Sequence, residues 1–141
     1  MVTNKYLKDE KCLGYFHIPL HFELGVNKKR KYALNLNTYR NLHYQVNNKL
    51  KIKVSEYVKE FALILPITEP VEIEYIIYPG SKRRIDLDNM MVIAKYIQDA
   101  LVSAGILEDD DYKHITKISF TISNLDLNKK GYAEVYLYKK E

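Results

Sequence analysis

The chain has 141 residues, of which 47% are hydrophobic and 28% charged; this suits one compact domain with a single core and excludes a disordered or collagen-like chain. Its one cysteine, Cys12, rules out an internal disulfide or a cysteine-rich zinc site, and no run of about 18 apolar residues offers a membrane span. The formal net charge of +4 decides little, but its distribution places Lys28, Lys29, Arg30 and Lys31 in one basic run, Lys82, Arg83 and Arg84 in a second, and Glu108, Asp109, Asp110 and Asp111 in an acidic cluster.

The first residues are polar and mixed in charge, with no apolar stretch of a signal peptide; together with the lone cysteine this points to a reducing, cytoplasmic setting. Cys12 itself reads as a small half-buried hydrophobe before it reads as a nucleophile. In residues 15–24, Phe16, Ile18, Leu20, Phe22 and Leu24 alternate with more polar residues, which predicts a strand buried on one face. Pro19 makes it an edge strand or a bent one. The basic run at 27–31 reads as a loop. A long helix opens at Leu36, with Asn37 or Thr38 as N-cap. Its apolar stripe runs through Leu42, Val46, Leu50, Val54 and Val58 to Phe61.

Residues 71–78 alternate in their first half and are rich in β-branched side chains, which predicts a strand ended by Pro79 and Gly80. A second helix is expected from Asn89 to Ala104, with Gly105 as its stop. Residues 115–123 and 132–138 read as two more strands. The order is β-α-β-α-β-β. It describes a single α+β domain with a small mixed sheet and two main helices.

The second helix carries the chemistry. At about 100° per residue, with Asp88 at zero, Ile93, Ala94, Ile97 and Leu101 share one apolar face, and Lys95 and Asp99 fall within about 20° of Asp88 on the opposite side. An ordinary solvated face has a similar pattern. Three features weigh against that here. Asp86 and Asp88 stand two apart before the helix, where an extended segment aims both side chains one way. The acidic cluster follows the helix stop. Lys95 lies within the carboxylate stripe. Carboxylates from both ends of the helix can hold Mg²⁺, which takes oxygen ligands and keeps waters for substrate phosphates. A helix of about 16 residues is about 24 Å long, so Asp110 approaches Asp86 only if the chain folds back after Gly105, for instance as a strand through residues 106–111.

Other chemistries fit less well. The Asp86-Leu87-Asp88 spacing matches the first motif of phosphoaspartyl hydrolases, but Lys82, Arg83 and Arg84 stand where that motif has a buried strand. The acids lack EF-hand spacing. His17, His21, His43 and His114 are scattered and read as strand or surface histidines.

The segments Arg84-Ile85-Asp86-Leu87-Asp88-Asn89, Lys95, Asp99-Ala100-Leu101 and Ala104-Gly105-Ile106-Leu107-Glu108-Asp109-Asp110 resemble the RusA family of Holliday junction resolvases over about 30 residues. That family shows Asp-x-Asp-Asn, a helical lysine, Asp-Ala-Leu, a glycine turn and an acidic pair. The resemblance implies that Asp86, Asp88 and Asp110 are metal carboxylates, that Lys95 is a catalytic or charge-balancing lysine, that the cofactor is Mg²⁺ or Mn²⁺, and that the protein is an α/β homodimer. One departure is that the family's lysine follows the second aspartate by four residues, where this chain has Val92; Lys95 is seven residues on. Asp99 and Asp109 are secondary candidates.

The implied function is paired nicking of four-way DNA junctions, with Lys28, Lys29, Arg30, Lys31, Lys82, Arg83 and Arg84 on backbone phosphates. A non-catalytic branched-DNA-binding protein and a nuclease for flaps or forks are the alternatives.

Overall fold

The structure is a computed structural model and describes residues 11–80, 85–123 and 130–141. Among these, Cys12–Pro19 (β1), His21–Leu24 (β2) and Arg30–Ala33 (β3) come first, followed by Leu36–Asn41 (α1) and Tyr44–Phe61 (α2). Val71–Tyr78 (β4), Leu87–Met90 (α3), Ile93–Ser103 (α4), Ile115–Ile122 (β5) and Tyr132–Lys139 (β6) complete the order. The main sheet runs β1-β6-β4-β5, with β4 and β5 parallel and the other pairs antiparallel. Parallel pairing needs a long crossover, and residues 87–103 supply it as helix. β2 and β3 form a separate antiparallel ribbon. The architecture is α+β with a mixed sheet, as the sequence pattern predicts.

The break between β1 and β2 comes from Pro19, which has no N–H for a continuing ladder. Beyond it, Leu20 donates to the Gly131 carbonyl at 3.1 Å and accepts from the Leu34 amide at 2.8 Å, and β2 turns away to pair with β3. The basic run is therefore only partly loop: Arg30 and Lys31 lie on β3, opposite Leu24 and Glu23.

The first long helix is also interrupted. Asn35 caps α1 by accepting from the Thr38 amide at 2.9 Å, ahead of the expected caps. Leu42 is then extended (φ −76°, ψ 139°), and His43 Nδ1 accepts from the Gln45 amide at 3.2 Å to start α2.

Helices α2 and α4 cover one face of the sheet. Leu50, Val54 and Val58 of α2 and Ile93, Ile97 and Leu101 of α4 bury themselves with Phe16, Ile18, Ile73, Ile77, Val135 and Leu137. Each such side chain contributes roughly 1.5–3 kcal/mol of transfer free energy. On the other face the buried Glu134 carboxylate accepts from Tyr15 (3.2 Å), Tyr136 (2.8 Å) and Tyr78, with His17 Nε2 at 3.6 Å. Burial, reinforced by that bond to Glu134, pushes the Tyr78 hydroxyl up to about 12.

Where β4 and β6 end side by side, Gly80 (φ 72°) and Gly131 pass very closely: a Cβ on Gly80 would stand 2.4 Å from Gly131 N, and one on Gly131 2.7 Å from the Pro79 carbonyl oxygen. No helix among the described residues is long and apolar enough to cross a membrane.

Candidate active site

Asp86 is the N-cap residue of α3, with extended backbone (φ −87°, ψ 132°), yet its carboxylate makes no capping bond. It lines a cavity of about 550 Å³ together with His21, Asn35, Asn37 and Asn89. Asp88, in the first turn, accepts from the Asn89 amide at 3.0 Å. Asn89 Oδ1 accepts from the Asn37 amide at 3.3 Å, which ties α3 to α1. Both aspartates are exposed.

The helix expected from Asn89 to Ala104 is two segments. The amides of Ala94 and Lys95 donate to the carbonyls of Met91 and Val92 at 3.2 and 2.9 Å, three residues back rather than four, and this tighter turn separates α3 from α4. The angular phase that joins Asp88 to Lys95 in a regular helix is therefore not kept. Within α4 the phase holds. Lys95 Nζ donates to Asp99 Oδ1 at 3.2 Å on the polar side, while Ile93, Ala94, Ile97 and Leu101 are buried. Tyr96 and Gln98 are buried as well, because α4 is gripped from two sides: Tyr96 donates to Asn47 of α2 at 2.8 Å, and Gln98 to Tyr75 of β4 at 3.1 Å.

Gly105 (φ 78°) ends α4 with a two-bond cap. The Ile106 amide reaches back to the Leu101 carbonyl at 3.0 Å, and the Gly105 amide to that of Val102 at 3.0 Å. Ile106 and Leu107 are buried, and the Ile67 amide donates to the Ile106 carbonyl at 2.8 Å. The return is held by a single parallel bridge between Ile67 and Leu107, not by the strand expected at 106–111.

This reversal sets Asp110 against α4. Burial raises the pKa of its carboxyl above the ordinary value; Lys95 pulls the other way, and hydrogen bonding to Asp99 and Asp109 raises it further. The Lys95 ammonium is in turn held above its usual value, first by its bond to Asp99. Asp109 Oδ1 accepts from the Asp110 amide at 2.7 Å, so it shapes the loop. Asp111 binds His114 Nδ1 at 2.6 Å, with Glu108 3.6 Å from Nε2; the Asp111 bond is the first cause of the upward pKa shift of His114. The acidic run is thus divided: Asp110 faces the helix, and Glu108 and Asp111 grip a histidine.

The structure therefore brings together Lys95, Asp99 and Asp110. Among the described residues no hydrogen bond joins Asp86 or Asp88 to that group, and no three His, Cys, Asp or Glu side chains form a group that could hold a metal ion. The donor chemistry suits Mg²⁺ all the same. That ion takes one or two carboxylates, retains waters and completes its shell with substrate phosphates. Asp88 lies in the first turn of α3 and not in an extended segment, so strand-like alternation does not aim it the same way as Asp86; Asp86, Asp88, Asp99 and Asp110 are nevertheless oxygen donors of the kind that ion takes.

Lys28, Lys29, Arg30 and Lys31 are exposed on the β2–β3 ribbon. Lys29 lines a cavity of about 510 Å³ with Lys49 and Lys53. Those two lysines were missed by the apolar-stripe reading of the helix, although their spacing of four residues puts them on one face. Lys82, Arg83 and Arg84 lie outside the described residues.

Neither the protein-family models nor the curated proteins compared with this chain give a match.

Proposed function

We propose that the protein is a Mg²⁺-dependent endodeoxyribonuclease that nicks branched DNA, four-way junctions first among them. What supports this most is the approach of Asp110 to Lys95 and Asp99 on the helix segment that follows Asp86 and Asp88. A merely solvated acidic face needs no such return. Asp86, Asp88 and Asp110 are the metal carboxylates of this reading, and Asp99 is a fourth oxygen donor. Mg²⁺ or Mn²⁺, when bound, polarises the scissile phosphate and lowers the pKa of the attacking water. Lys95 offsets the negative charge of the carboxylates, and the N–H donors it does not give to Asp99 can reach a non-bridging phosphate oxygen. Lys28, Lys29 and Arg30 of the basic ribbon, with Lys49 and Lys53, hold duplex arms by phosphate contacts that carry no sequence information, and Lys31 also lies against DNA. A homodimer would set two such sites on opposed strands of a symmetric junction.

The test is a labelled four-way junction beside a linear duplex of matching sequence, with and without Mg²⁺, using the wild type and Asp88→Asn. Paired Mg²⁺-dependent nicks in the junction, lost in the variant, are expected. Tight junction binding without cutting under Mg²⁺ or Mn²⁺ refutes the nuclease and leaves a branched-DNA-binding protein, the reading favoured by the basic cavity alone. Cutting of flaps and forks in preference to junctions would keep the chemistry and change the substrate.

A further inference from the structure

The cavity beside Asp86 does not end there. It shares His21 and Pro79 as walls with a second cavity of about 430 Å³, which Lys31 and Lys130 line. The two cavities adjoin at His21 and Pro79 and can form one groove. At one end stand the Asp86 carboxylate and three asparagines, at the other two lysines and Glu23. Its course is set by the backbone: Pro19 turns the chain into β2, and the close passage of Gly80 and Gly131 brings Lys130 beside β2.

We propose that this groove is the track for an unpaired DNA strand next to the scissile phosphate, with a base in the Asp86 cavity and the neighbouring phosphates against Lys31 and Lys130. The proposal deepens the nuclease reading and rests on it for the identity of the Asp86 end.

Three observations carry it. First, a duplex keeps its bases stacked and turned inward, so only an unpaired or extruded nucleotide can put a base into a cavity. Secondly, the polar groups can bond the edge of a base that enters the cavity. The side-chain oxygen of Asn35 is used in capping Thr38 and that of Asn89 in accepting from Asn37, which leaves their amide N–H donors for acceptor atoms on a base edge. Thirdly, charge changes sign along the groove in the required order. Asp86 marks the end where a cation would bridge to phosphate, while Lys31 and Lys130 take phosphates directly; Glu23 lines the same cavity and moderates their charge. A branch point is where DNA offers unpaired nucleotides, so the groove gives the site a means to prefer branched over linear DNA.

The test is fluorescence anisotropy with a labelled single-stranded oligodeoxynucleotide and the blunt duplex of the same sequence, without metal so that cutting plays no part. Lys31→Ala/Lys130→Ala is compared with wild type and with Lys139→Ala/Lys140→Ala, which removes the same charge at the far end of β6. The groove variant should lose about tenfold in single-strand affinity, and its slope of log affinity against log salt should fall by about 1.4, the value for two phosphate contacts to a single strand. The control pair should stay within about twofold of wild type. The proposal is overturned if the groove variant binds the single strand as wild type does, if the control pair loses as much, or if duplex binding depends on Lys31 and Lys130 to the same degree. Junction cutting that survives alongside unaltered single-strand binding in the groove variant would refute the track and leave the nuclease. Groove-dependent single-strand binding by a protein that cuts nothing would do the reverse.

Discussion

Lys95 and Asp99 face each other across one turn of α4 at 3.2 Å, and Asp110 reaches the same pair from the loop beyond Gly105. Lys95 and Asp99 both act on the protonation of Asp110. Burial and the Asp99 bond favour the protonated form of Asp110, while Lys95 favours its carboxylate. Asp99→Asn should therefore lower the Asp110 titration, and Lys95→Met should raise it further. The sign for stability follows. A raised native pKa means that the folded state holds the proton better, so this contribution is fully present below the ordinary value of 3.8 and is lost as pH rises through the native value. For Mg²⁺ the effect is opposite, because the ion needs the carboxylate and its binding releases the proton. NMR of the Asp110 carboxyl in the three proteins checks this; shifts in the same direction for both variants would contradict it.

Lys29, Lys49 and Lys53 gather at one cavity from two distant parts of the chain. If they hold a duplex arm, Lys29→Ala/Lys49→Ala/Lys53→Ala should weaken binding to a linear duplex and to a junction alike. The salt slope should fall by about 2.7, at about 0.9 per phosphate contact on B-form DNA. Titration at several salt concentrations measures it. A loss restricted to junctions would mean that these lysines read branching instead.

Gly105 stands in left-handed backbone at φ 78°, and a Cβ built there meets nothing within 4 Å. Gly105→Ala therefore pays in backbone strain alone, about 1–2 kcal/mol. Urea unfolding should show a loss of that size. A wild-type midpoint would show that the turn does not depend on glycine.

That turn also illustrates what sequence could and could not convey. Gly105 is readable as a helix stop, and the strand expected at residues 71–78 coincides with β4. Residues 21–24 are readable as strand, but β3 and its pairing with β2 are not, because Lys28 to Lys31 give that stretch the composition of a loop. Nor are the helix breaks. Leu42 and Val92 are ordinary helix residues, and the chain departs at those points through a local His43 cap and a tighter turn at Met91. The carboxylates follow the same division. Periodicity brings Lys95 and Asp99 together because they lie on one segment, whereas the position of Asp110 depends on the cap at Gly105 and the bridge from Ile67 to Leu107, which only the folded chain contains. The groove from Asp86 to Lys130 is hidden for the same reason: its walls come from four separate stretches of sequence.

Glu134 tests the other face of the sheet. The residue is 1% exposed, and its carboxylate accepts from Tyr15, Tyr78 and Tyr136. A buried charge is tolerated only when hydrogen bonds replace its water. Glu134→Ala would leave tyrosine hydroxyls without their acceptor beside a new void and should cost about 3–5 kcal/mol. Glu134→Gln keeps the shape and one acceptor oxygen, so about 1–2 kcal/mol is expected. Urea midpoints at constant slope measure both. Equal losses would mean that the charge itself holds the three tyrosines; no loss in either would mean that their stacking, Tyr15 on Tyr136 at 4.8 Å and Tyr78 on Tyr132 at 4.6 Å, suffices. Tyr78 is the residue before Pro79, which walls both cavities of the groove. Loosening Glu134 should therefore also weaken single-strand binding, and do so more in Glu134→Ala than in Glu134→Gln.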